Sequence, residues 1–123
     1  MSTIKTIASE FIKMCAKGNA KAAFQLYTAE GFKHHNVYFK GDAASLFTAM
    51  DESAKQNPDK VFEIQRLLED GDLVAIHSRV KQSAKENEIA VIHIFRFIND
   101  KMVELWDFVQ AAPDIIENEN GMF

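Results

Sequence analysis

The chain has 123 residues, 47% hydrophobic and 26% charged, with five Gly and two Pro. That is the balance of one compact globular domain over residues 1–123, not of a disordered or fibrous chain. Cys15 is the only cysteine, which excludes an internal disulfide and a thiolate metal cluster. Fourteen basic against eighteen acidic side chains leave a net charge of −4 without a Lys/Arg run, so nothing points to nucleic acid. No apolar stretch approaches the roughly 20 residues of a membrane span, and a soluble, cytoplasmic protein is expected.

Ile4, Ile7, Ala8, Phe11, Ile12 and Cys15 recur at helical spacing behind Ser2 and Thr3, which can cap a first helix that Gly18 stops. Asn19 is the expected cap of a second helix, with Ala20, Ala23, Phe24 and Tyr27 as its buried stripe and Gly31 at its end. Asp42 caps a third, in which Ala43, Leu46, Phe47, Met50 and Ala54 share a face. Asn57-Pro58 closes it, because the residue before proline leaves helical space. Between the second and third helices, Phe32 to Phe39 reads as a short strand or extended loop and carries His34 and His35.

After Pro58 the period changes to two. Val61 to Leu68, Leu73 to Val80, Ile89 to Ile98 and Met102 to Val109 are four strands joined by Asp70-Gly71, by a polar stretch from Lys81 to Glu88, and by Asn99-Asp100. Helices first and an antiparallel meander afterwards predict an α+β domain in which the helices cover one face of a curved sheet. The last two strands are apolar on both sides, so the second face is expected to meet another copy of the chain in a homodimer. The tail from Ala111 is polar and reads as loose, with Met122 and Phe123 able to tuck back onto the body or the partner.

The register of the last hairpin decides where its polar residues point. A three-residue loop, Asn99-Asp100-Lys101, sets His93 directly opposite Asp107 on one face together with Phe95, Phe97, Leu105 and Val109. A two- or four-residue loop sends the pair to opposite faces. The sequence leaves this open. Asp70-Gly71 favours a two-residue turn, which groups Leu73, Ala75, His77 and Arg79 on one face and Val74, Ile76, Ser78 and Val80 on the other. His77 and Arg79 join the polar cluster if their face is the concave one. His35 and Asn36 are further candidates, and alternation allows at most one of His34 and His35 to point inward. Trp106 should face away from Asp107, and Cys15 reads as a small core residue. Nothing with the spacing of an HExxH motif supports a metal site among His35, His77, His93 and Asp107, and none is expected. Phosphate loops, dinucleotide fingerprints and Gly-x-Ser-x-Gly elbows are missing from the sequence.

The segment from Ala90 to Gln110 resembles the closing hairpin of SnoaL-like polyketide cyclase proteins. Their phenylalanine-arginine-phenylalanine, turn, lysine, glutamate-x-tryptophan-aspartate and glutamine correspond to Phe95-Arg96-Phe97, Lys101, Glu104 to Asp107 and Gln110. His35-Asn36, His77 and the ending Asn120 to Phe123 are similar as well. The resemblance implies the nuclear-transport-factor-2-like fold, a cone of curved antiparallel sheet closed by helices around an apolar pocket, usually dimeric. It also implies an acid/base role for an aspartate at Asp107 in a cofactor-free aldol closure, with a histidine at His93 on the preceding strand. The chain departs from many relatives at Val37, His93 and Leu105.

The expectation is therefore a pocket protein for a hydrophobic, carbonyl-containing small molecule. Asp107 and His93 are its candidate catalytic pair, and His35, Asn36, His77 and Arg79 its candidate substrate contacts, with no cofactor. A non-catalytic ligand-binding dimer of the same fold is the alternative, and a dimeric scaffold with a filled pocket is a third reading.

Overall fold

Apolar residues at helical spacing need a surface to bury against, and the strands after Pro58 supply it. The computed structural model describes residues 3–123, so the share of the first cap expected from Ser2 lies outside the described residues. The elements run α1 (Thr3–Ala16), α2 (Ala20–Tyr27), β1 (Thr28–His34), α3 (Ala43–Gln56), β2 (Val61–Asp70), β3 (Leu73–Lys81), β4 (Ile89–Ile98) and β5 (Lys101–Ala111). The sheet is curved and unclosed, in the order β1-β5-β4-β3-β2. From β2 to β5 it is the expected antiparallel meander. The early extended segment adds β1 parallel to β5, which makes the sheet mixed.

The helix ends follow local chemistry in two cases and tertiary contact in the third. Gly18 closes α1 at φ +90°, and the Asn19 N–H then donates to the Met14 carbonyl at 2.9 Å. Asp42 caps α3, its carboxylate accepting from the Ser45 N–H at 2.8 Å. Asn19 precedes α2 but makes no side-chain cap. Asp51, reaching across from α3, takes that role by accepting from the Ala20 and Lys21 N–H groups at 2.7 and 3.2 Å. Nor does Gly31 end α2, which stops at Tyr27. Gly31 sits inside β1 at φ +81°, where the register with β5 shifts.

The helices and the inner face of the sheet form one core. The Phe11 ring is fully buried, with the Phe24 and Phe95 rings centred 4.9 and 5.5 Å away, the latter edge-on. Such aromatic pairs add about 0.5–1.5 kcal/mol each beyond the area they bury. Val74, Ile76, Phe95, Phe97, Met102 and Leu105 complete the floor.

The last hairpin resolves its register in a way that loop length alone does not give. Asn99 and Asp100, at φ +51° and +61°, form a two-residue turn, and Ile98 pairs with Lys101. Val103 is then an extra residue: Phe97 pairs with Met102, but Arg96 pairs with Glu104. The bulge restores the register that a three-residue loop would have set, and His93 stands directly across from Asp107.

The outer face carries two rows across four strands, Leu68, Ala75, Ile94 and Trp106 beside Arg66, His77, Ile92 and Phe108. The tail is better tied than its composition suggests. The Ala112 N–H donates to the Glu88 carbonyl, Asn87 reaches Asp114, and the Phe123 ring stacks on His77.

Replacing Asp51 with Ala should lower stability by about 1 kcal/mol, within the usual range of roughly 0.5–2 kcal/mol for a lost helix cap. Asn19→Ala should stay within about 0.5 kcal/mol. Thermal denaturation of the two variants side by side checks the assignment of the cap.

Candidate functional site

The inner face is fully occupied where Phe11 meets Phe95. Towards the Val91 and Val109 end, α1 and α3 stand back from the sheet and leave a cavity of about 290 Å³. That is just below the roughly 300–1,000 Å³ typical of small-molecule sites. Ile12, Cys15, Leu46, Met50, Phe62 and Val80 make much of its wall apolar, and Asn36, Ser53, Lys60, Gln82, His93 and Asp107 supply the polar groups.

Asp107 is held by a relay that starts at a histidine. His34, buried on the inward side of β1, has Nε2 at 2.6 Å from the Lys40 carbonyl, and its Nδ1 accepts from the Asn36 N–H at 3.1 Å. The two contacts agree on one tautomer, with the proton on Nε2. They fix the turn that carries Asn36. The Tyr38 N–H donates to Asn36 Oδ1 at 3.0 Å, which aims the amide nitrogen at the carboxylate, and Asn36 Nδ2 donates to Asp107 Oδ2 at 3.0 Å. A carboxylate oxygen still has acceptor capacity after one such bond.

His93 lies in the same wall, its ring parallel to that of Phe95 at 6.0 Å. Its Nδ1 is buried and meets no hydrogen-bond partner among the described residues. Burial pushes the His93 pKa well below the ordinary histidine range; the Asp107 charge opposes that shift and Lys60 adds to it. The group bonded to the Asp107 carboxylate is therefore Asn36, while the imidazole is a neutral, unpartnered neighbour.

Three of the residues expected at the site stand on the other side of the sheet. The inward face of β3 is Val74, Ile76, Ser78 and Val80, so His77 and Arg79 point outward. Arg66 donates to His77 Nδ1 at 3.0 Å. Arg79 is engaged by Glu88 and by Glu63, the latter at 2.9 Å, and serves the sheet surface. His35 follows His34 and takes the opposite direction. Its Nε2 donates to Glu104 at 2.6 Å and its ring stacks on Trp106 at 5.2 Å, with Arg96 holding the same carboxylate at 2.9 Å. Of the sequence candidates, Asp107, His93 and Asn36 thus meet at the cavity. Among the described residues no group of three or more His, Cys, Asp or Glu side chains is placed to hold a metal ion.

Lys60 and Gln82 also line the cavity, although neither stood out in the sequence. Period two was the available signal, since Lys60 shares a face with Phe62 and Ile64, and Gln82 with Val80 and Ser78. Burial lowers the Lys60 pKa, with a smaller opposing influence from Cys15. The Cys15 thiol is pushed up strongly by its own burial, which makes it inert as a nucleophile.

A family comparison matches residues 8–105 to the SnoaL-like domain. The chain belongs to the SnoaL-like family. Solved structures agree on the fold. A candidate polyketide cyclase from Bacillus cereus superposes with a TM-score of 0.75 at 20% identity, over 87% of this chain and 74% of that one. The candidate hydroxylase AclR from Streptomyces galilaeus gives 0.73 at 17% identity, over 87% and 88%. A cystatin fold protein from Novosphingobium aromaticivorans gives 0.70 at 16% identity, over 88% and 98%. A search of curated proteins finds no match. Membership of this family supports a small-molecule-binding protein, and no helix among the described residues is long and apolar enough to cross a membrane.

The buried imidazole makes stability depend on pH. Above about 6.5, the ordinary histidine value, His93 is neutral in the folded and the unfolded chain, and stability is complete. As the pH falls below that value the unfolded chain takes up a proton that the folded one refuses. Stability is then lost at up to about 1.4 kcal/mol per pH unit until the depressed folded pKa is reached. His93→Asn should flatten the profile between about pH 7 and 5. Urea midpoints of both proteins across that range measure it.

Proposed function

We propose that this SnoaL-like protein binds a small hydrophobic carbonyl compound and performs cofactor-free carbon-acid chemistry on it, as an aldol-type cyclase or isomerase with Asp107 as acid and base. The observation that supports this most is a carboxylate on the wall of an apolar cavity, oriented by Asn36 and facing a neutral histidine across the strand pair. Asp107 takes a proton from the carbon next to a carbonyl. The electrons of that C–H bond move onto the carbonyl oxygen as an enolate. The enolate carbon then adds to a second carbonyl, and the new alkoxide recovers the proton, or the enolate is reprotonated at another position. His93, neutral at ordinary pH, offers its N–H to the oxygen on which negative charge develops.

Turnover of a β-dicarbonyl or polyketide-like compound should fall about 10²–10⁴-fold in Asp107→Asn, the usual contribution of a positioned base, with binding of the compound retained. Turnover that survives the change overturns the role of Asp107. A native protein that binds such compounds without converting them is instead the non-catalytic module of the same fold.

The outer face supports a homodimer through the sheet. Leu68 and Phe108 are 62% and 61% exposed at opposite ends of its two cross-strand rows, with Ile92 and Ile94 between them and Trp106 beside Phe108 on β5. Sedimentation should give twice the chain mass for the native protein and the chain mass for Phe108→Glu. A monomeric native protein removes the proposal.

A further inference from the structure

Among the described residues Lys60 is the one lysine or arginine on the cavity wall, and the chemistry proposed for Asp107 gives it no role. It immediately precedes β2, half-buried, on the face it shares with Phe62 and Ile64. None of the ion pairs among the described residues includes it. Asp51, whose charge acts on the same buried Cys15, is occupied in capping α2. Gln82 shares the wall, and its Oε1 is buried without a partner. An ammonium group drawn partly out of water without a counter-charge is costly, and the penalty falls when an anion arrives with the ligand.

We propose that Lys60 is the anion-binding residue of this cavity and that the ligand is an amphipathic organic acid, its carboxylate at Lys60 and its apolar body against Phe62, Val80 and Met50. The inference rests on the cavity being a small-molecule site and is independent of any reaction at Asp107. It narrows the ligand from carbonyl compounds in general to those carrying an acidic group. Burial already holds the Lys60 ammonium below its ordinary pKa range, and a bound carboxylate would reverse that shift.

Titration calorimetry near neutral pH with octanoate and with 1-octanol, on the native protein, Lys60→Met and Lys60→Arg, tests this directly. The native protein should prefer octanoate by about tenfold or more, the increment of one charge-assisted hydrogen bond. Lys60→Met should lose that preference while keeping its affinity for 1-octanol, and Lys60→Arg should retain it. Equal binding of the two probes by the native protein, or a preference that persists in Lys60→Met, overturns the assignment and leaves the cavity as a neutral-ligand site. Failure of the native protein to bind either probe overturns it together with the small-molecule reading of the cavity.

Discussion

The extra residue at Val103 is the constraint on which the site depends. Side chains alternate along a strand, so a one-residue slip exchanges the two faces of everything beyond it. With the two-residue turn at Asn99-Asp100 and no bulge, Glu104 and Trp106 would face the helices, and Asp107 would lie outside with the charged surface. The bulge turns Leu105 and Asp107 inward and places Glu104 among His35, Arg96 and Lys33. A single unpaired backbone residue thus gives the same strand an apolar floor at one end and a carboxylate over the cavity at the other.

The polar side chains sort themselves by whether they are satisfied. On the outer face, Arg79 holds Glu63 and Glu88, and Glu104 collects His35 and Arg96; Glu88 and Glu104 have pKa values lowered chiefly by those hydrogen bonds. The Arg79–Glu63 pair, exposed on its Glu63 side, contributes little to stability, whereas the Glu104 carboxylate is buried and needs its partners. On the inner side, three buried side-chain atoms among the described residues lack partners, and two of them, on His93 and Gln82, belong to residues that line the cavity. Folded proteins rarely leave such groups unmet, and the two at the cavity are donors or acceptors that a ligand there could meet.

Much of this arrangement can be read from residue order. The helical stripes, the cap at Asp42, the stop at Gly18 and the four later strands follow from local periodicity and turn chemistry, and those signals act over a few residues. The pairing of His93 with Asp107 was visible only as one of two registers, because a bulge has no sequence mark as clear as a turn. Tertiary geometry decided the rest. The cap of α2 comes from Asp51, a helix away in sequence. His77 and Arg79 were separated from the site by which face of β3 the helices chose, and His35 by the single-residue step after His34. Lys60 has no distinct sequence mark, because a lysine next to a proline-containing turn usually belongs to a solvated loop.

The charges around His93 would tie the binding of an anionic ligand to proton movement. Asp107 favours the imidazolium, whereas desolvation, the largest influence, and Lys60 both oppose it, so the resting ring is neutral. A carboxylate docked at Lys60 would cancel the positive field that the ring now feels, and the imidazole would become more basic as the ligand arrives. A ring that becomes easier to protonate after binding is better suited to hold a proton handed on from Asp107 than one charged beforehand. An imidazolium present in the empty cavity would instead offer itself as the counter-charge for the carboxylate and so compete with the substrate's acidic proton for the same base. Under the proposed chemistry, a ring kept neutral until the ligand enters would leave Asp107 available as the acceptor when the C–H bond is presented.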